Sequence, residues 1–577
     1  MGIHPPTMGA QHMRSEVSIP PSLKPYPQLL REKGYFTTNN AKTDYNVIVN
    51  MNELWDQNGN QAHWRNRQPG QPFFAVFNFE ISHESQLRNQ NTLAENRRHD
   101  PAKVPLPAYH PDAPEIRSDW AQSYDRILQL DDRIQIRLDE LDEAGLAEST
   151  IVFFFGDHGS GMPRSKRTVL NTGMNTPLII RIPEKFLHLA PPEYVAGGVS
   201  ERLVSFVDFA PTLLSLIGEQ APATMHGKPF MGQYDAGPQP YIFGARDRMD
   251  ERVDSSRSVR DERFVLALNL YPHIPFGAHV SYMFETPTTR VWRKLYDEGN
   301  LPPEQAFFFE WKPMFELYDL KNDPDQVRNL AYQPEYRETH IRLLTALLNH
   351  MSETRDLGFL PEAMMWERGQ GTTLYELAHD RERYDIEAIM NFWLQQFGWP
   401  GWYFRNGEFR DETNEGNVAE GKLFEKINHP DDALRYWDAV NLLFNVAVYA
   451  RMEGRNFSTV EIRQIFRGYH PYLKQIVADE QRIVRIPAAE ALGRFGTEDD
   501  VARAADILFG IIEEGKENPT LYYYRTLLAF NSLDYFSERI TDPNFADRVR
   551  AASTFPTPPP GRPSQTFDRI VRSVLEL

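Results

Sequence analysis

A run of apolar residues that stops at a glycine and is followed at once by a carboxylate and an imidazole is a place where chemistry can be done. The segment FFFGDHG (153–159) has that form, with Gly156, Asp157 and His158 at the end of a core strand. In open α/β sheets, ligands bind beyond the carboxyl ends of the strands. Asp157 offers a hard anionic oxygen and His158 a neutral nitrogen, a donor pair suited to a divalent cation. Close behind, GMPRSKR (161–167) brings Arg164, Lys166 and Arg167. Several cations on one loop suit an anion that carries sulfuryl or phosphoryl oxygens. His83 follows the apolar run PFFAVFNFE (72–80) as Asp157 follows its own strand. Each feature also has a plain structural use: a strand-end turn capped by Asp157, a solvated basic loop, a surface histidine.

The elements that must position these residues are legible as alternating patterns. Pro27–Gly34 reads as a short helix closed by glycine, and 72–80 as a buried strand. Residues 118–146 carry Ile127, Leu128, Leu130, Ile134, Ile136, Leu138 and Leu141 at spacings of three and four, the signature of a long amphipathic helix with a charged outer face. STIVFFFGDHG and TPLIIRIP (176–183) read as further strands, and VSFVDFAPTLLSLIG (204–218) as a helix. Helices alternating with apolar strands predict an α/β domain over 1–239, its parallel or mixed sheet covered by helices on both faces. Residues 240–335 read as a small antiparallel sheet, from YIFGARDR, RFVLALNL and MFELYDLKNDPDQVRNL. From 336 to 577 strand signals stop and an all-α region is expected. Arg435, Arg485 and Arg525 open three similar segments spaced 50 and 40 residues apart, near the period of helical-pair repeats of the HEAT type. An irregular helical domain with chance matches is the other reading. The proline-rich opening (Pro5, Pro6, Pro20, Pro21, Pro25, Pro27) reads as a connection, and TFPTPPPGRPS as a linker before a last short helix.

Composition sets limits. The chain has 577 residues, 41% hydrophobic and 25% charged, enough for a sizeable core. Lys+Arg 62 against Asp+Glu 80 leaves a net charge of −18, which argues against a general nucleic-acid binder. An anionic substrate remains open, because a site can be locally cationic. The absence of cysteine rules out disulfides, thiolate nucleophiles and cysteine-ligated zinc within these residues. No run of about 18 apolar residues suits a membrane helix, and the opening residues contain no apolar core of a signal peptide.

The ordered set of segments resembles the sulfatase family of the alkaline-phosphatase-like fold over roughly residues 1–335. GYFTTNNAK (34–42), PFFAVFNFEISH (72–83), FFFGDHG, GMPRSKR, NTPLIIRIP (175–183), VSFVDFAPTLLSLIG, MHGKPFMG and ELYDLKNDPDQVRNL carry it. The resemblance implies that Asp157 and His158 are the downstream metal ligands. It further implies that Lys166 contacts the sulfate, that His83 stands beside the leaving-group oxygen, and that Lys42 is the lysine of the second family signature. It also implies a divalent cation, calcium before magnesium, and a formylglycine nucleophile acting on a sulfated small molecule or glycan. A periplasmic or extracellular setting is expected for the complete protein.

The sequence departs from the family in three places. Asn40 and Ala41 replace the small residue and glycine before Lys42, and Asp44 stands where a histidine is usual. A carboxylate there cannot do the same proton chemistry at neutral pH unless its pKa is raised. The C/S-x-P-S-R motif that yields formylglycine and the upstream Asp-Asp ligands are missing. The expectation is therefore a truncated or natively inactive sulfatase with negligible turnover as it stands. Two other classes remain: a phosphatase or phosphonate hydrolase of the same fold, and a non-catalytic protein whose helical repeats bind a partner.

Overall fold

The computed structural model describes residues 1–88, 97–396, 402–405, 408–411, 429–451, 459–553 and 565–576. Aromatic and β-branched residues form the expected strands within 72–80, 151–155 and 176–183, whereas the strands Phe36–Asn40 and Gln57–Asn58 are not among those expected from sequence. β1 (Phe36–Asn40) lies between β2 (Gln57–Asn58) and β3 (Phe73–Phe77), parallel to both, with Phe36 opposite Phe73 and Asn40 opposite Phe77. β4 (Val152–Phe155) pairs antiparallel with β5 (Leu178–Arg181), Val152 facing Arg181. The α/β class is as expected, but among the described residues no ladder joins β3 to β4. All five positions of β3 are half-buried, although the run is wholly apolar.

The long helix spans Pro114–Glu143, opened by Pro114 at its first position. Its burial differs from the amphipathic expectation. Ile116, Asp119, Ala121, Gln122 and Asp125 are buried, whereas Ile127 and Ile136 are 51% and 52% exposed. The first half is held because the helix Pro287–Asp297 packs on it and Asp119 accepts hydrogen bonds from the Thr288 amide (2.8 Å) and hydroxyl (2.6 Å). The second half is held at a few points: Leu141, the Arg137 guanidinium over the Phe77 ring (5.0 Å), and the Glu140–His63 contact (3.2 Å).

Beyond residue 240, four strands form an antiparallel sheet in chain order: β6 (Ile242–Arg246), β7 (Ser256–Arg260), β8 (Phe264–Asn269) and β9 (Phe315–Asp319). β7, Ser-Arg-Ser-Val-Arg, carries too little apolar signal to be read from sequence. It is a strand because β8 pairs with it and because buried Arg257 is clamped by Asp247 (2.8 Å) and Asp356 (2.6 Å).

The helical region begins with Arg337–Glu353, which packs on β7 and β8. Two expectations are corrected. β10 (Trp402–Arg405) and β11 (Glu408–Asp411) pair antiparallel within the region expected to be all-α. The N-terminal segment is not a loose connection. Ile3, Met8 and Ala10 are buried in the core shared by β8, β9 and the C-terminal helices, and the Thr7 hydroxyl donates to the Thr354 carbonyl at 2.5 Å. Proline there shapes a tight 3-10 turn, Pro5–Met8, closed by Gly9 in the left-handed region at φ 69°. Arg435, Arg485 and Arg525 lie near the starts of the helices Asp432–Arg451, Arg482–Phe495 and Tyr523–Asp534. The proline-rich stretch 554–564 lies outside the described residues.

Candidate functional site

β1, β3 and β4 each deliver a loop at their carboxyl ends, and the three loops converge. After β3, the chain turns into a 3-10 helix at Glu84–Leu87, whose N-cap is His83. The His83 Nδ1 accepts from the Ser85 amide and lies 2.9 Å from the Ser85 hydroxyl. This leaves Nε2 facing the Lys166 ammonium at 3.4 Å. Lys166 also pairs with Glu84 at 3.1 Å. Glu84 takes two 2.8 Å hydrogen bonds from Arg167. The loop 156–167 can approach this closely because Gly161 has no side chain: a Cβ there would stand 2.8 Å from the Glu84 backbone.

Arg164 and Arg167 adopt positive φ, 65° and 72°. Such a backbone costs a non-glycine residue of order 1 kcal/mol or more, and the surroundings must hold it. Arg164 donates to the Asp325 carbonyl (2.9 Å) and to that of Gln326, and its guanidinium stacks on Tyr109 at 4.4 Å. Arg167 is held by Glu84.

The Lys42 loop is set by amides at the ends of β1 and β3. Asn39 donates to the Lys42 carbonyl (2.9 Å) and to Asn58 (2.8 Å), and Asn78 donates to the Asn39 side chain (2.9 Å). The Lys42 ammonium stands 3.8 Å from Asp44, whose side chain is well exposed. Asp44 is thus a charge partner of Lys42.

The charges act on one another across these loops. Burial lowers the His83 pKa, and the nearby charges of Lys166 and Lys42 lower it further, against Glu84 and Glu80. Burial also lowers the Lys166 pKa, while Glu84 and Asp157 draw it up and Arg167 pushes it down. Burial lowers His158, with Asp157 opposing and Lys166 adding to the effect. For Glu84, burial pushes up but the Arg167 hydrogen bonds and the Arg167 and Lys166 charges outweigh it, leaving about 2. Lys166 is therefore the link between the loops: it and Lys42 act on His83, and it and Asp157 act on His158. Glu84 is the residue that sequence reasoning passed over. Its only signal was indirect: several cations packed together need a buried anion among them.

Asp157 and His158 lie side by side, Oδ2 to Nε2 at 3.7 Å. The His158 Nδ1 donates to the Gly159 carbonyl at 2.6 Å, which fixes the tautomer and leaves the Nε2 lone pair free for a cation. Asp157 is 73% exposed. Two donors supply only a fraction of the six to eight ligands that calcium takes, or the six of magnesium. Among the described residues no group of three or more acidic or histidine side chains is arranged to hold a metal. The residues present therefore do not make a cation site by themselves, and no step is routed through one.

The Sulfatase family model matches residues 36–219, which contain every residue of this cluster. An ulvan-active sulfatase of Formosa agariphila is 36% identical over 408 residues, 63% of this chain and 67% of the relative. The N-sulphoglucosamine sulphohydrolase of Homo sapiens is 27% identical over 274 residues, 45% of this chain and 52% of the relative. The chain thus spans between half and two thirds of the length of these relatives. A solved structure, a putative sulfatase from Bacteroides thetaiotaomicron, is similar at a TM-score of 0.43 and 17% identity, over 62% of this chain and 80% of that one. The resemblance carried by the ordered motifs is borne out: the chain belongs to the sulfatase family, whose members hydrolyse sulfuric esters.

Proposed function

We propose that the cluster around Lys166 is the anion-binding half of a site for sulfate esters of a glycan. The observation that supports this reading is that Lys166 stands between His83 and Glu84 at the meeting point of three strand-end loops, within range of Asp157 and His158. In this reading the Lys166 ammonium holds a sulfate oxygen, Lys42 adds positive potential, and His83 faces the oxygen of the departing group. An anion seated beside Lys166 offsets the cations that depress His83. It therefore raises the His83 pKa and readies the imidazole to hold a proton for the leaving oxygen.

Asp157 and His158 would furnish two ligands of a divalent cation. Calcium is favoured over magnesium because it tolerates irregular oxygen coordination. The sulfated-glycan substrate rests on the relatives, whose names specify ulvan and sulphoglucosamine. Residues 336–577 are proposed to be a helical-pair repeat region, with Arg435, Arg485 and Arg525 as its repeating mark and a protein partner on its surface.

No cysteine stands in the 577 residues to become formylglycine. The purified chain is therefore expected to bind sulfate yet to hydrolyse an aryl sulfate negligibly. Binding is read from the histidine NMR signal of His83, which sulfate should shift in wild type and leave unmoved in Lys166→Met. Aryl sulfate turnover abolished by Lys166→Ala or Asp157→Ala would overturn the expectation of inactivity. A His83 signal indifferent to sulfate would overturn the site.

A further inference from the structure

Beside Lys166 and Arg167 the structure holds a small cavity. The charged side chains on its wall are Arg164, Lys166, Arg167, Arg246, Arg252 and Asp254, five cations to one carboxylate. Most of the rest is apolar, including Phe276 and Phe308. The space open to the centre of a water-sized sphere is about 20 Å³. That is room for a single small buried species.

The cations differ in how well they are neutralised. Arg252 pairs with Asp534 (2.6 Å) and donates to the His279 carbonyl (2.5 Å) and the Ser573 hydroxyl (2.7 Å). Arg167 and Lys166 share Glu84. Arg164 is bound to the two carbonyls described above, and its Nε has no hydrogen-bond partner among the described residues. Arg246 is the outlier. It sits at the end of β6, 7% exposed, and among the described residues its one ion pair is with Asp254. Asp254 is also taken by Lys312, at 2.5 and 2.6 Å. Asp254 is thus the ion-pair partner of two buried cations, with the charge of Asp247 also acting on Arg246 and that of Glu316 on Lys312, and the Arg246 Nε is likewise without a partner among the described residues. The strain shows in the direction of titration. Burial, then the charge of Arg167, pushes Arg246 down to about 10. Burial, then Arg246, pushes Lys312 well below its ordinary value.

We propose that this cavity binds a single monoatomic, weakly hydrated anion, chloride or bromide, between Arg246 and the cations of the 164–167 loop. A guanidinium is itself weakly hydrated and the wall is largely apolar, so an anion that sheds water easily is preferred over fluoride. The anion adds negative charge beside Arg246, whose ion-pair partner Asp254 is shared with Lys312, and accepts from the buried Nε atoms of Arg164 and Arg246. It also buttresses Arg167, and through Glu84 the Lys166 ammonium. This inference does not depend on the sulfatase reading, because its ligand and its test are different and its central residue is Arg246; Lys166 borders both sites.

The probes are sodium fluoride, chloride and bromide at equal ionic strength. With the full chain, thermal unfolding in bromide or chloride is expected to rise by about 1–2 °C over fluoride along a saturable one-site curve. Arg246→Met leaves Lys312 and Asp254 as a one-to-one pair, so the variant retains a balanced core, and its halide dependence should vanish. In bromide-soaked crystals an anomalous peak is expected within hydrogen-bonding reach of Arg246. Equal halide dependence in wild type and Arg246→Met, or no anomalous peak in the cavity at saturating bromide, would refute the proposal. A non-specific salt effect gives the first result and a water-filled cavity the second.

Discussion

The ammonium of Lys166 stands 3.4 Å from Nε2 of His83, across 83 residues of sequence. A cation at that distance opposes a proton on the ring. His83 is therefore expected to titrate below its ordinary value of 6.5, in line with its burial and its two lysine neighbours. In Lys166→Met the midpoint should move up. The measurement is a pH series of histidine NMR spectra, with His83 assigned by its own substitution. A midpoint unchanged by Lys166→Met would show that burial alone sets it.

Glu84 is the anion that lets Lys166 and Arg167 share one loop. Its side chain is 1% exposed, and removing its charge leaves two neighbouring cations uncompensated. Glu84→Gln should cost roughly 3–5 kcal/mol, read as a lower urea midpoint with the same slope. Glu84→Gln combined with Arg167→Met should recover part of that loss, because the deeper unpaired charge is then gone. A loss below about 1 kcal/mol would contradict the role given to Glu84.

Acid should destabilise the fold in two windows. The His110 Nε2 faces the Pro163 carbonyl at 3.1 Å and its Nδ1 accepts from the Trp120 indole at 3.0 Å, so a second proton must break the indole bond. Burial brings His110 down to about 3. A histidine whose folded pKa is depressed binds fewer protons folded than unfolded below pH 6.5. Its contribution is complete above 6.5 and fades as pH falls from there toward 3, at up to about 1.4 kcal/mol per pH unit. Glu84, at about 2 when folded against 4.5, adds a second loss between pH 4.5 and 2. Urea midpoints between pH 7.5 and 5 should fall, and less steeply in His110→Gln. Equal slopes in both proteins would remove His110 from this account.

Gly9 turns the N-terminal segment into the core at φ 69°, and a Cβ there would lie 2.4 Å from Leu374. Gly9→Ala is expected to cost about 2–4 kcal/mol from the left-handed backbone and the clash together. Leu374→Ala in the same chain should relieve the Cδ1 contact and recover part of the loss, leaving the backbone cost and the contact with the Leu374 Cβ at 2.7 Å. Differential scanning calorimetry of the two variants separates the terms. A neutral Gly9→Ala would mean that the N-terminal turn is not fixed as described.

Short-range pattern determined much about this protein. The apolar runs at 72–80 and 151–155 become strands, and the residues just past them, His83, Asp157 and His158, fall at strand ends, because strand length and direction follow from local side-chain preference. The order of the motifs sufficed to mark the family, since order survives where individual residues drift. Tertiary structure alone decided the rest. That Lys166 meets His83, that Glu84 neutralises Arg167, and that Asp44 serves Lys42 depend on three loops converging in space. β7 has no strand signal of its own and exists because Arg257 finds two carboxylates, one of them ninety-nine residues away. The proline-rich N-terminal segment reads as a connection, yet its Ile3, Met8 and Ala10 fold into the core, because Thr7 and Gln11 bond to residues more than 340 positions later. Local sequence specifies conformation over a few residues, whereas burial and ion pairing are set by whichever distant segments the fold brings alongside.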